Sequence, residues 1–380
     1  MRPRARLSVV SRAAEWMKRS TALLALLMVG CGSATPVASV HSPSAVATSP
    51  IATATSSPSG SPAVSPTPTD PRLVIADYAK GEVRLARLNA QDTGSAKGLF
   101  QQIVGGQVIL LNGTSLVALS RSGTVSTLGQ LSGSPESVVV NPDLSQWLYM
   151  TLGSDQVYHL HLGSPGHDSV LTTNPALTQD QVYRPFGWSS TGVYVTKEPL
   201  GLGGAGPFLE YHFPLAKLDL ASGQITEASP VCTAYGIVDD GTMICGDRAT
   251  WRLEVRRPSG SSSWIQTGAD NNGFIRVAVS LDARRVIAGR NGATNPVINY
   301  QMVVATLTSS SAVAFGPLDY LPDAWLPDGR LVATHQCVIP EWGGGPCSGS
   351  LDGTYFFSTD GSSRTLFFRL ANGARVAGVI

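Results

Sequence analysis

The sequence is poor in charge. Only 14% of its 380 residues are Asp, Glu, Lys or Arg, and the formal net charge is +1. A chain so nearly neutral has no electrostatic footprint for nucleic acid. Its apolar runs are short, and the one near the amino terminus, Ala22 to Val29, cannot cross a hydrocarbon core of about 30 Å. Catalytic signatures are missing too: there is no Gly-x-Ser-x-Gly elbow, no His-Glu-x-x-His helix and no phosphate loop. The five cysteines include no Cys-x-x-Cys pair and have no pair of histidines beside them, so neither a metal nor a cofactor is expected. What the chain has in quantity is Gly (40) and Pro (25), which suits short strands joined by turns rather than long solvated helices.

One stretch recurs with variations. Its clearest copy runs Ala324-Trp325-Leu326-Pro327-Asp328-Gly329-Arg330-Leu331-Val332-Ala333-Thr334. Pro presets φ, Asp bonds its own backbone and Gly supplies the permissive dihedral, so the stretch reads as a hairpin. Looser copies carry Asn141-Pro142-Asp143, Trp188-Ser189-Ser190-Thr191-Gly192, Asp239-Asp240-Gly241 and Ser280-Leu281-Asp282. A hairpin repeated at roughly 40–50 residues is the signature of a propeller blade.

The amino terminus reads as an export signal over residues 1–30. Arg2, Arg4, Arg6, Lys18 and Arg19 form a basic region before the apolar run. The run ends in Met28-Val29-Gly30-Cys31-Gly32-Ser33, which resembles the bacterial lipobox. That resemblance implies that Cys31 is lipidated and becomes the first residue, anchoring the chain to a membrane on its extracytoplasmic side. Loss of six basic groups (Arg12 completes the set) and of Glu15 leaves 21 basic against 25 acidic residues, a poor match for anionic lipid. Residues 31–70 are almost wholly Ser, Thr, Pro, Ala and Val, with His41 and Asp70 the only ionisable side chains after Cys31. Such a segment has no periodic apolar face and is expected to be a disordered tether, with a reach on the order of 100 Å.

From Pro71 to Ile380 the texture is all-β. The runs group into seven units, of which the first lacks an innermost strand. The terminal stretch Ala374 to Ile380 has the apolar character to supply it, closing a seven-bladed propeller by joining the two ends of the domain in one blade. Six blades stay open, because the first two units are weakly marked, and a pair of β-sandwiches is the plainer alternative. Trp325-Leu326-Pro327-Asp328-Gly329 and Trp188-Ser189-Ser190-Thr191-Gly192 resemble the Trp-Ser-Pro-Asp-Gly turn of TolB-like and related WD-type propellers. The motif builds a blade, so the resemblance implies fold and not activity. Trp147, Trp188, Trp251 and Trp325 fit packing between blades.

Cys232 and Cys245 lie on two arms of the hairpin around Asp239-Asp240-Gly241, and Cys337 and Cys347 bracket a Gly-rich loop. In an exported chain these four are expected to form two disulfides.

Strands alternate in direction within a blade, so connections between second and third strands share a face with the links between blades. Three such connections are long: Leu200 to Pro207, Asn291 to Asn299 and Val338 to Gly353. Long loops on one face of a rigid scaffold are the usual place for a binding site. Glu341 and Trp342 offer an acid beside an aromatic platform there, Arg276 and Asp323 begin innermost strands on the same face, and Tyr235 and Arg184 are further candidates. The reading is a monomeric, non-catalytic binding or scaffold module for a protein, peptide or glycan. The alternative is a propeller enzyme of hydrolase or lyase type acting on extracytoplasmic sugar or peptide, with Glu341, Asp323 and Arg276 as reacting groups.

Overall fold

A computed structural model describes residues 70–154, 157–173, 181–199, 213–228, 230–247, 252–268, 274–292, 299–335, 351–369 and 374–380. Among them there is no α-helix, and all the strands belong to seven four-stranded antiparallel sheets. We number these blades 1 to 7 in chain order. Their innermost strands are Ala374–Val379, Leu99–Val104, Pro135–Val140, Gln181–Ser189, Thr233–Ile237, Phe274–Val279 and Tyr320–Trp325. Blades 2 to 7 each take four consecutive strands. Blade 1 instead sets the last strand of the chain, Ala374–Val379, against its first, Leu73–Asp77. Backbone bonds in both directions between Arg72 and Ile380 lock the two ends, so the seam is closed. Seven blades are therefore present, not six, and the end of the chain supplies the missing strand.

Strand periodicity explains why the second and third strands read as continuous apolar runs. Successive side chains point to opposite faces of a sheet, and here both faces meet a neighbouring blade. Val108 and Leu110 pack towards blade 1, whereas Ile109 and Leu111 on the same strand pack towards blade 3. The whole core is organised this way, as seven apolar clusters, one at each interface between neighbouring blades. Each side chain buried there contributes about 1.5–3 kcal/mol. Trp147 fills the interface of blades 2 and 3 and Trp325 that of blades 6 and 7. Trp188 packs, partly buried, between blades 3 and 4, and Trp251 lies outside the described residues. Gly163 and Gly129 make room for Trp147, since a Cβ at either would run into its ring.

The recurring turn joins the first and second strands of a blade. In blade 7, Leu326 N bonds Arg330 O at 2.8 Å, Gly329 N bonds Leu326 O at 2.9 Å, and Asp328 Oδ1 accepts from Arg330 N at 3.1 Å. Gly329 sits at φ +86°, a left-handed conformation that costs glycine little. The same turn recurs in blade 5 with Gly241 at the left-handed position, and blades 3 and 6 carry a version one residue longer with Leu144 and Ala283 there.

Cys232 and Cys245 are joined by a disulfide with Cα atoms 5.0 Å apart, as their places on one hairpin predicted. Cys337 and Cys347 lie outside the described residues, as does Cys31.

Candidate functional site

Each innermost strand carries one extra residue relative to its neighbour. The register shifts at Gln101, Glu136, Phe186, Tyr235, Ile275 and Asp323, and in blade 1 at Ala377. A bulge of this kind bends the strand and re-aims the side chain at the step. The ring uses it to link blades. Gln101 Oε1 accepts from Val138 N at 3.0 Å, and Gln102 Nε2 donates to Val140 O at 2.8 Å, tying blade 2 to blade 3. Ser137 Oγ donates to Pro185 O at 3.3 Å, tying blade 3 to blade 4.

The bulge in blade 7 places Asp323 against Arg276, which follows the bulge in blade 6. Arg276 Nη1 meets Asp323 Oδ1 at 2.5 Å, and Asp323 Oδ2 accepts from Thr334 Oγ1 at 2.6 Å. Both side chains are almost wholly inside the protein, at 7% and 1% exposure. Two charges that deep are tolerable because each neutralises the other, with Thr334 satisfying the second oxygen of the carboxylate. Two of the residues expected at a site are thus brought together, and they bind one another.

Sequence reasoning missed the group beside them. His335 ends the second strand of blade 7 and Asp352 precedes the third, so both stand at the base of the connection that contains Glu341 and Trp342. His335 Nδ1 lies 3.0 Å from Asp352 Oδ1. An ionised carboxylate only accepts, so Nδ1 carries the proton in this bond. The imidazole is packed edge-on against Tyr320, with centroids 5.1 Å apart, and Tyr320 in turn meets Tyr355 and the guanidinium of Arg364. Burial pushes the Tyr320 phenol above its ordinary pKa. The signal available in the sequence was only an acid and a histidine flanking one loop, which gains meaning once the strands at its two ends are known to pair.

Glu341 and Trp342 lie outside the described residues. Arg184 belongs to a separate cluster at blades 3 and 4, where its Nε meets Glu198 at 2.8 Å and its Nη2 meets Glu136 at 3.6 Å. Tyr235 packs into the apolar interface of blades 5 and 6. In blade 3, His161 stacks on Tyr149 at 4.6 Å and meets Thr151 Oγ1 at 3.0 Å through Nε2. Tyr149 donates to Asp168 at 2.6 Å, and Ser132 donates to the same carboxylate. Burial, with the Asp168 carboxylate beside it, pushes the Tyr149 phenol up to about 12, and burial lowers the His161 pKa.

The two ends of the ring differ. Every described turn between first and second strands, or third and fourth, is tight, as in Leu326–Arg330 and Ser358–Ser363. At the opposite end, second strands finish at Pro199, Gly292 and His335 while the third strands begin at Leu215, Asn299 and Gly353.

No protein-family model matches the chain, and no curated protein matches it by sequence. Solved structures do. TolB of Acinetobacter baumannii is 14% identical, with 76% of this chain and 77% of that chain covered at a TM-score of 0.37. An oligogalacturonate lyase in complex with manganese is 12% identical over 67% of this chain and 79% of that one, with a TM-score of 0.46. The dihydro-heme d1 dehydrogenase NirN is 11% identical over 80% and 64%, with a TM-score of 0.45. The propeller architecture of this chain rests on its own strand pairing.

Proposed function

We propose that the protein is an extracytoplasmic lipoprotein, held to the membrane through lipid on Cys31, whose propeller binds a protein, peptide or glycan on the face with the long connections. Residues 1–30 are the signal, 31–70 the tether and 71–380 the binding module. The observation that carries the binding half is the difference between the two ends of the ring. Tight turns offer no adaptable surface, whereas long connections do, and the last of them is flanked by the fixed His335–Asp352 pair beside the buried Arg276–Asp323 pair. Glu341 and Trp342 are the contact residues of this reading, an acid and an aromatic platform. Arg276 and Asp323 act beneath them: their mutual neutralisation supports a seat for the loops rather than a pair free to exchange protons with substrate.

Two variants of the full chain test the reading in its bacterial host. Cys31→Ser is expected to move the protein from the detergent phase to the aqueous phase on detergent partition, with the partner still retained. Glu341→Ala combined with Trp342→Ala is expected to release the partner while leaving membrane attachment and melting temperature unchanged. Detergent-phase partition of the Cys31 variant contradicts the anchor, and undiminished partner retention by the double variant contradicts the contact surface.

A further inference from the structure

We propose a second binding site, for an uncharged oligosaccharide, in the groove between the outer halves of blades 4 and 5. Six of the interfaces between blades are filled by clusters of nine or ten buried apolar residues. Among the described residues the interface of blades 4 and 5 has five: Tyr194, Leu215, Cys232, Ala234 and Cys245. Two of these five are the halves of the disulfide, so the cystine supplies packing that side chains supply elsewhere. This small cluster fills only the inner part of the interface. Beyond it the two sheets part around a groove of about 1010 Å³.

Register shows which side chains form the walls. In blade 4, Tyr194 pairs with Lys217 and Lys217 with Thr226, so these three share one face. In blade 5, Glu254 pairs with Cys245, and Arg256 pairs with both Met243 and Ser262, which sets this group on the face opposite. The alternate residues, Ala216 and Leu218 in blade 4 and Leu253 and Val255 in blade 5, turn away into full apolar clusters. At the corresponding outer positions of the groove the walls are polar instead.

Those polar groups are arranged and not merely solvated. Glu254 has a side-chain exposure of 5%, and its Oε2 accepts from Arg256 Nε at 2.7 Å. Arg256 is itself fixed, donating through Nη1 to Pro230 O at 2.7 Å and through Nη2 to Val231 O at 3.3 Å. Among the described residues no other hydrogen bond reaches the Glu254 carboxylate, although it lines the groove. A carboxylate so deeply placed requires acceptor capacity to be satisfied by whatever occupies the space beside it. On the opposite wall Lys217 is exposed, its stem lying over Gly192; its charge acts through space on Asp219, and among the described residues no hydrogen bond or ion pair holds its amine. A fixed acceptor thus faces a free donor across the groove, with hydroxyls of Thr226 and Ser262 beside them.

This chemistry selects the occupant. Both walls are faces of sheets whose N–H and C=O groups are spent on their neighbours, so an extended peptide finds no edge to pair with. Lys217, Arg256 and Arg257 balance Asp219, Glu227 and Glu254, which favours neither a polyanion nor a polycation. A polyol presents a donor and an acceptor at each carbon. Its hydroxyls give hydrogens to the Glu254 carboxylate and accept from the Lys217 ammonium without any charge to repel. The volume is at the upper end of ordinary ligand pockets, roomy enough for more than one ring. The groove opens beside Ser190, Thr191 and Ser222, which belong to the tight-turn end of the ring, so it is distinct from the long-connection face.

The test is calorimetric titration of the full chain with maltohexaose, cellohexaose and chitohexaose. Saturable binding of at least one is expected, weakened at least about tenfold by Lys217→Ala and by Glu254→Gln. Lys217→Ala disturbs no bond of the fold, so it remains informative if the Glu254 variant unfolds. An Asn89→Ala variant in blade 1 is expected to bind as the parent does. Absence of binding by all three hexasaccharides overturns the proposal, as does binding that survives Lys217→Ala unchanged. So does a groove that takes a charged oligosaccharide or a peptide in their place.

Discussion

Asp323 holds two blades through one carboxylate, with an oxygen for Arg276 on blade 6 and another for Thr334 on its own blade. Replacing it by alanine leaves a guanidinium inside the ring without its counter-charge and a threonine hydroxyl without its acceptor. Loss of one partner from a buried pair costs about 3–5 kcal/mol. Urea unfolding of Asp323→Ala is expected to show a destabilisation of that size. The double variant Arg276→Met with Asp323→Leu is expected to recover most of it, because two apolar side chains need no counter-charge. A single variant within about 1 kcal/mol of the parent would show that the pair is not what holds these blades together. Arg276 and Asp323 were each legible in the sequence as charged residues starting inner strands. Their pairing was not, because it spans 47 residues and depends on adjacent blades being brought side by side. His335 was not legible for a related reason: its partner Asp352 stands 17 residues away, across a connection whose ends meet only when the strands pair.

The element most easily read was the hairpin around Pro327-Asp328-Gly329, where local chemistry alone decides the turn. The closing strand was legible as well, since Ala374–Val379 is apolar and the first blade lacked an inner member. Two neighbouring strands escaped. Asp92–Lys97 reads DTGSAK, an outer strand with only Ala96 buried, and it has neither the β-branched richness nor the alternation that marks a strand. Leu99–Val104 is only partly buried at every position after Leu99, and its bulge at Gln101 breaks the period of two. Its neighbouring strands, Gln107–Asn112 and Ser115–Ser120, are buried on both faces and show as plain apolar runs. Closure makes a prediction at this scale. Deleting residues 374–380 uncovers Leu73 and Ile75 and opens an edge along Leu73–Asp77. The truncated chain is expected to lose its cooperative thermal transition and to aggregate on warming. A truncated chain that melts like the parent would show that the ring does not need its seam.

At the scale of the whole molecule, the fold reduces to seven interfaces and two ends. Six interfaces each hold a cluster of nine or ten buried apolar residues, and the seventh has a smaller cluster that includes a disulfide and borders a polar groove. One end is made of tight turns with Asp, Ser and Gly, as at Ser358, Asp360 and Gly361, where Asp360 accepts from both Ser358 and Ser362 and its pKa falls to about 2. At the other end three long connections leave from Pro199, Gly292 and His335, and the His335–Asp352 pair stands at the two ends of the last of them. Repetition made the architecture visible in the sequence, because a blade must repeat its turn and its apolar runs. Nothing repeats at the end with the long connections, where each connection differs from the next, so repetition in the sequence does not reach them.

The measurement that bears most directly on this account is site-specific photo-crosslinking in the living host. A photoreactive phenylalanine would be placed at Trp342 and Leu351 on the long-connection face, and at Asn89 and Asp360 among the tight turns. Adducts with a defined partner are expected from the first two positions only. Adducts that arise from Asn89 or Asp360, with none from Trp342 or Leu351, would place the working face at the opposite end of the ring and contradict the account.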